Sequence, residues 1–145
     1  MAQMIPAENI QKLEYDVTTG EGPCHVTVIT GSLPINLQMG STPQSVKTLL
    51  DPTLQPGQFR KSVAVVSFTN LSFSIPGYGP PDPANPGSGG FPGASINWFI
   101  DDVQATLDDE SSRIVLQMDI GGNSGGQTNS MIGRIGFQVT TLAKV

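Results

Sequence analysis

Between Ser95 and Val145 apolar and polar side chains alternate with a period of two, and that alternation restricts the chain to β structure. The segment opens with Ile96, Trp98 and Ile100, continues through Val103, Ala105 and Leu107, and turns over at Asp108-Asp109-Glu110-Ser111-Ser112. It returns through Ile114, Leu116, Met118 and Ile120, loops from Gly121 to Asn129, and leaves through Met131, Ile135, Phe137 and Val139. A helix would place its apolar residues three and four apart. A strand sends successive side chains to opposite faces, so each of these runs offers one face to a core. In the first run the apolar parity changes between Ile100 and Val103. A one-residue slip reverses every side chain, so the spacing predicts a bulge at Asp101-Asp102. The Gly121–Asn129 loop, with no charge or aromatic group, reads as a long hairpin connection.

The same logic applies upstream. Leu13, Tyr15 and Val17 alternate with Lys12, Glu14 and Asp16, which predicts a half-buried strand. Thr19-Gly20-Glu21-Gly22-Pro23 is turn chemistry, and Cys24 to Thr30 then closes a hairpin. A third strand is expected at Leu33, Ile35, Leu37 and Met39; Pro34 makes it an edge strand or delays its start. Thr42 as a cap, Pro43 at the first helical position, and Val46, Leu49 and Leu50 at helical spacing predict a short helix. From Ser62 to Ile75, apolar residues on both faces followed by alternation predict a central strand that bends near Asn70.

The fold expected is therefore an all-β, antiparallel β-sandwich, jelly-roll-like, with seven or eight strands and one short helix near 43–50. Residues 1–10 are expected to form an N-terminal arm, and 11–145 a single domain with a long Pro/Gly-rich loop at 76–93. A chain of 145 residues can bury a core without disulfide or metal staples.

Charge narrows the functions. Only 13% of residues are charged, about half of what soluble chains usually carry. The net charge is −5, and the basic residues Lys12, Lys47, Arg60, Lys61, Arg113, Arg134 and Lys144 are scattered. Nucleic-acid binding needs a basic stripe to displace counterions from phosphates, so no nucleic-acid partner is expected. No apolar run approaches the ~20 residues of a membrane span, so membrane insertion is not expected either. Residues 1–6 lack a basic segment leading into an apolar one, which points to cytoplasmic synthesis without a signal peptide. A virion, or release by a non-Sec route, would be the later destination.

Cys24 and His25 adjoin, but neighbours in a strand face opposite ways and cannot act as nucleophile and base. With one Cys and one His, a zinc site of the usual ligands has no basis, and no catalytic residue is assigned. Asp101, Asp102, Asp108, Asp109 and Glu110 are hard oxygen donors near turns, which makes them candidate Ca²⁺ ligands beside the plainer reading as turn formers. Tyr78, Phe91 and Trp98 are candidate contact residues, for a sugar ring or a neighbouring subunit. Trp98 shares a face with Ile96 and Ile100 and so also reads as core. Low charge, no catalytic set and a long Pro/Gly loop together suggest a non-enzymatic structural or assembly protein, a subunit of a homo-oligomer or particle such as a virion or phage component. A carbohydrate-binding, lectin-like module with a glycan partner is the alternative.

Overall fold

The structure, a computed structural model, describes residues 2–38, 43–74, 95–125 and 129–145. Within them lie eight strands: β1 (Gln3–Met4), β2 (Glu8–Thr19), β3 (Gly22–Gln38), β4 (Gln44–Thr53), β5 (Phe59–Ser74), β6 (Ser95–Asp108), β7 (Arg113–Gly125) and β8 (Asn129–Lys144). They form two four-stranded sheets, one in the order β1-β4-β7-β6 and the other β2-β3-β8-β5. The sheets pack as a β-sandwich, and from β3 to β6 each successive strand lies in the opposite layer. All long pairings are antiparallel, and the two-residue β1 runs parallel to β4.

The core lies between the layers. Ile29 and Leu33 of β3, with Ile132, Ile135, Phe137 and Val139 of β8, face Val46 and Leu50 of β4 and Ile114, Leu116, Met118 and Ile120 of β7. Each such buried side chain contributes about 1.5–3 kcal/mol over an exposed one. The alternation read in 114–120 and 135–139 is thus the inner face of the two central strands, β7 and β8. The parity change in β6 is also observed. Pairing with β7 slips between Asp101 and Gln104, Asp102 takes a φ of 53°, and Val103, Ala105 and Leu107 then face the core.

Four expectations are corrected. The helix near 43–50 is strand β4, and no helix occurs among the described residues. Val46 and Leu50 fit both a helical spacing of four and a period of two. Thr48, itself buried, completes the second pattern, while Lys47 and Leu49 point outward beside β7. The strands expected on either side of Gly31-Ser32 are one continuous strand, β3. Gly31 is no turn; it lies under the Phe137 ring opposite it. Pro34 is tolerated because β2 pairs with β3 only as far as Ser32, beyond which that side of β3 has no strand among the described residues.

β5 is an edge strand and not a central one. Ala64, Val66 and Phe68 pack on the core, whereas Val63 and Val65 face solvent; the bend at Asn70 is present as a register slip. Finally, Gly121–Asn129 is not a hairpin connection, because β7 and β8 belong to different sheets. Residues 121–125 extend β7 instead, and 126–128 lie outside the described residues.

Candidate interaction surface

The candidate Ca²⁺ ligands fall at two ends of β6. Asp101 and Asp102 sit at the bulge, and Asp108 to Glu110 sit at the β6–β7 turn, roughly 20 Å away along the strand. Asp108 accepts hydrogen bonds from the Ser111 hydroxyl (2.5 Å) and backbone N–H (3.0 Å), and these hold its carboxyl below the usual range. Its role there is to close the turn. At the other end Asp102 lies beside Asp119 of β7, which accepts a hydrogen bond from Ser45. The hydrogen bond to Asp119, and then the repulsion of its charge, raises the Asp102 carboxyl above its ordinary value. Among the described residues no group of three or more His, Cys, Asp or Glu is placed to hold a metal ion.

Trp98 is partly buried against the core, with its ring over the backbone of Gly122 in β7. Phe99 covers Gly121 on the other face in the same way. Tyr78 and Phe91 lie outside the described residues, as does the whole 76–93 loop.

Cys24 is buried, with its sulfur near the Thr19 hydroxyl and the Gly22 carbonyl. His25 faces the opposite way, as neighbours in a strand must. Its Nδ1 meets Asp16 at 2.7 Å and its Nε2 meets Glu14 at 3.4 Å. Those two hydrogen bonds, Asp16 first, raise the imidazole above its ordinary pKa. With a carboxylate at each ring nitrogen, the only histidine of the chain has no nitrogen left for a hydroxyl or thiol nucleophile.

The outer face of the β2-β3-β8-β5 sheet was not anticipated as a surface of interest. Residues directly opposed in an antiparallel pair stand on one face. The pairings place Leu13, Val28, Thr140 and Val63 in one row across the sheet, with Tyr15, Val26 and Leu142 in the next. A third row runs through Gln11, Thr30, Gln138 and Val65. Ile29, Val139 and Ala64 occupy the other, core face, so these rows look outward. Leu13 is 60% exposed, Tyr15 45%, Val63 50% and Val65 63%. The sheet therefore presents large apolar side chains at both flanks of its outer face. Val63 and Val65 carried the only sequence signal for this: apolar residues on both sides of one strand.

β2 adds a second feature. The strand is exposed from Glu8 through Asp16, on both of its faces. Lys12, Glu14 and Asp16 occupy the face that the other sheet covers in β3 and β8, so β2 projects past that cover. Its root is fixed by Arg134 of β8, which donates to Glu8 (2.7 Å) and to the Ser32 hydroxyl (2.9 Å). On the other sheet, an open cleft of about 280 Å³ lies among Met4, Lys47, Leu49, Asp108 and Val115. It pairs one cation with flanking carboxylates and presents no convergent polar set.

No family model, no curated protein and no solved structure matches this chain.

Proposed function

We propose that this chain is a non-enzymatic structural subunit that packs with copies of itself into a homo-oligomer or particle, as virion and phage components do. The observation that carries the reading is the apolar outer face of the β2-β3-β8-β5 sheet, where Leu13, Tyr15, Val63 and Val65 stand in solvent. Apolar groups clustered on a sheet's outer face favour burial against a second surface, at roughly 25 cal/mol per Å² removed from water. The occupied ring nitrogens of His25 and the turn-closing role of Asp108 agree with a chain that does no chemistry of its own. The carbohydrate-binding alternative draws no support from Trp98, whose ring lies over Gly122 and against the core.

The test is solution mass by light scattering across a concentration series. Assembly gives a discrete species well above the 15.3 kDa monomer. Substituting Val63 and Val65 together by Ser then shifts the population toward monomer, with the thermal transition of the dilute subunit little changed. A wild-type chain that stays monomeric at every concentration would refute the proposal.

A further inference from the structure

Resting on that assembly reading, we infer that the free edge of β2 pairs antiparallel with β2 of a second copy, across a twofold axis passing beside Leu13. The two β2-β3-β8-β5 sheets would thereby join into one sheet of eight strands.

Of the four sheet edges β1 is only two residues long, and among the other three β2 is the most regular. An edge strand exposes a row of N–H and C=O groups that templates another strand unless something interrupts it. β5 is interrupted by register slips at Phe59/Lys61 and again around Asn70. β6 is interrupted at Asp101/Gln104, where two carboxylates and a positive φ turn the edge aside. β2 slips only near its start, between Glu8 and Gln11, and pairs regularly with β3 from Gln11 through Thr19. It contains no proline, and it stands clear of the second sheet on both faces.

The side chains then select the register. A twofold axis perpendicular to the sheet keeps corresponding faces together, so Gln11, Leu13, Tyr15 and Val17 of one copy meet the same set of the other. Lys12, Glu14 and Asp16 likewise meet their counterparts. Lys12 and Glu14 already share a face, 3.3 Å apart within one chain. With the axis at Leu13, Lys12 of each copy stands opposite Glu14 of the other, giving two cross-strand ion pairs around a central Leu13–Leu13 contact. Gln11 then lies beside Tyr15. Moving the axis to Glu14 sets Glu14 on Glu14. Moving it to Lys12 sets lysine on lysine, and moving it to Tyr15 sets Glu14 on Asp16. Each of these puts like charges in direct opposition, which is destabilising. In the favoured register Asp16 stays with its own His25. The charges on β2 thus favour a second copy in one alignment: the Glu14 axis would also oppose Lys12 to Asp16, but at the cost of a central Glu14–Glu14 pair and of the Asp16–His25 contact.

The test is oxidative cross-linking of the full-length chain carrying single cysteine substitutions at Gln11, Leu13, Tyr15 or Val17, with the buried Cys24 left in place. Only Leu13→Cys should form a covalent dimer alone; Gln11→Cys should cross-link only when mixed with Tyr15→Cys. In parallel, Lys12→Glu should weaken self-association roughly tenfold, and adding Glu14→Lys should restore it. Wild-type oligomers that keep their mass in Lys12→Glu and give no Leu13→Cys dimer would leave the assembly reading standing and overturn the β2 pairing. A dominant cross-link from Tyr15→Cys alone would overturn the register. A monomer at all concentrations, with no cross-link, would overturn both.

Discussion

Gly31 lies directly beneath the ring of Phe137: a Cβ built at Gly31 would stand 2.8 Å from Phe137 Cζ and 3.0 Å from the Glu8 carbonyl oxygen. The pair joins β3 to β8 at mid-sheet, where the missing side chain of one residue makes room for the large one opposite. Gly31→Ala would force either the buried ring or the β2 backbone to move, and overpacking of this kind costs about 1–3 kcal/mol. Gly20, with nothing within 4 Å of its Cβ position, is the control, and Gly20→Ala should change stability by no more than about 1 kcal/mol. Denaturant unfolding of the two variants separates a packing glycine from a permissive one.

Leu13 and Leu116 are the same residue type on alternating strands, yet only one of them contributes to the fold. Leu116 is 0% exposed in β7, against β4 and β6, whereas Leu13 is 60% exposed. Leu116→Ala should cost about 2–5 kcal/mol of folding stability. Leu13→Ala should stay within about 0.5 kcal/mol in dilute, monomeric protein. If Leu13→Ala instead lowers only the stability of concentrated samples, the lost contact is between chains, and the concentration dependence of the melting transition reports it.

Those two leucines also mark how far the sequence could be read. Period two identified the strands and the bulge at Asp101-Asp102, because both are local consequences of side-chain direction. It could not say which strands are central. Strand order here is set by non-local partners, β3 with β8 and β4 with β7, and nothing in the spacing of Leu13 announces what lies above it. The β4 strand was misread for a related reason. Val46 and Leu50 satisfy both periods, and only the burial of Thr48 decides between them. Gly31-Ser32 divides two expected strands in the sequence because glycine's use under an aromatic ring looks there the same as its use as a break. The outer face of the sheet stayed hidden, since an alternating strand is read as half-buried whether or not anything covers it.

Asp102 and Asp119 give a prediction in acid. The raised carboxyl of Asp102 means that the folded chain holds that proton more tightly than the unfolded one. Above both values the ionised Asp102 therefore costs stability, and the cost is relieved as pH falls through the raised pKa. Asp102→Asn removes the repulsion, and asparagine accepts the 53° φ as readily as aspartate. The variant should melt higher than wild type at neutral pH, with the difference shrinking in acid. Thermal melts of both proteins over that range check the sign.

The His25 ladder on the β2–β3 hairpin shifts stability in the same direction, but in the histidine range, and by losing a favourable charge instead of gaining an unfavourable one. Asp16 and Glu14 raise the imidazole above its ordinary 6.5, so the folded chain binds the proton more tightly than the unfolded chain. The stabilisation is complete below the unfolded pKa and is lost as pH rises through the folded one. Wild-type stability should therefore decline from mildly acidic to mildly alkaline buffer, and His25→Asn should flatten that decline. The loss should be small, because the ladder is exposed and screened by salt. Its place should be local: amide exchange in β2, from Lys12 to Asp16, should quicken with rising pH beyond the intrinsic chemical rate, while the core amides of β7 and β8 should not. If β2 pairs with a second copy, the same exchange should slow with protein concentration, since the outward N–H groups of β2 would then be bonded across the interface. Exchange that quickens with pH but is indifferent to concentration would confine the ladder to a role within one chain.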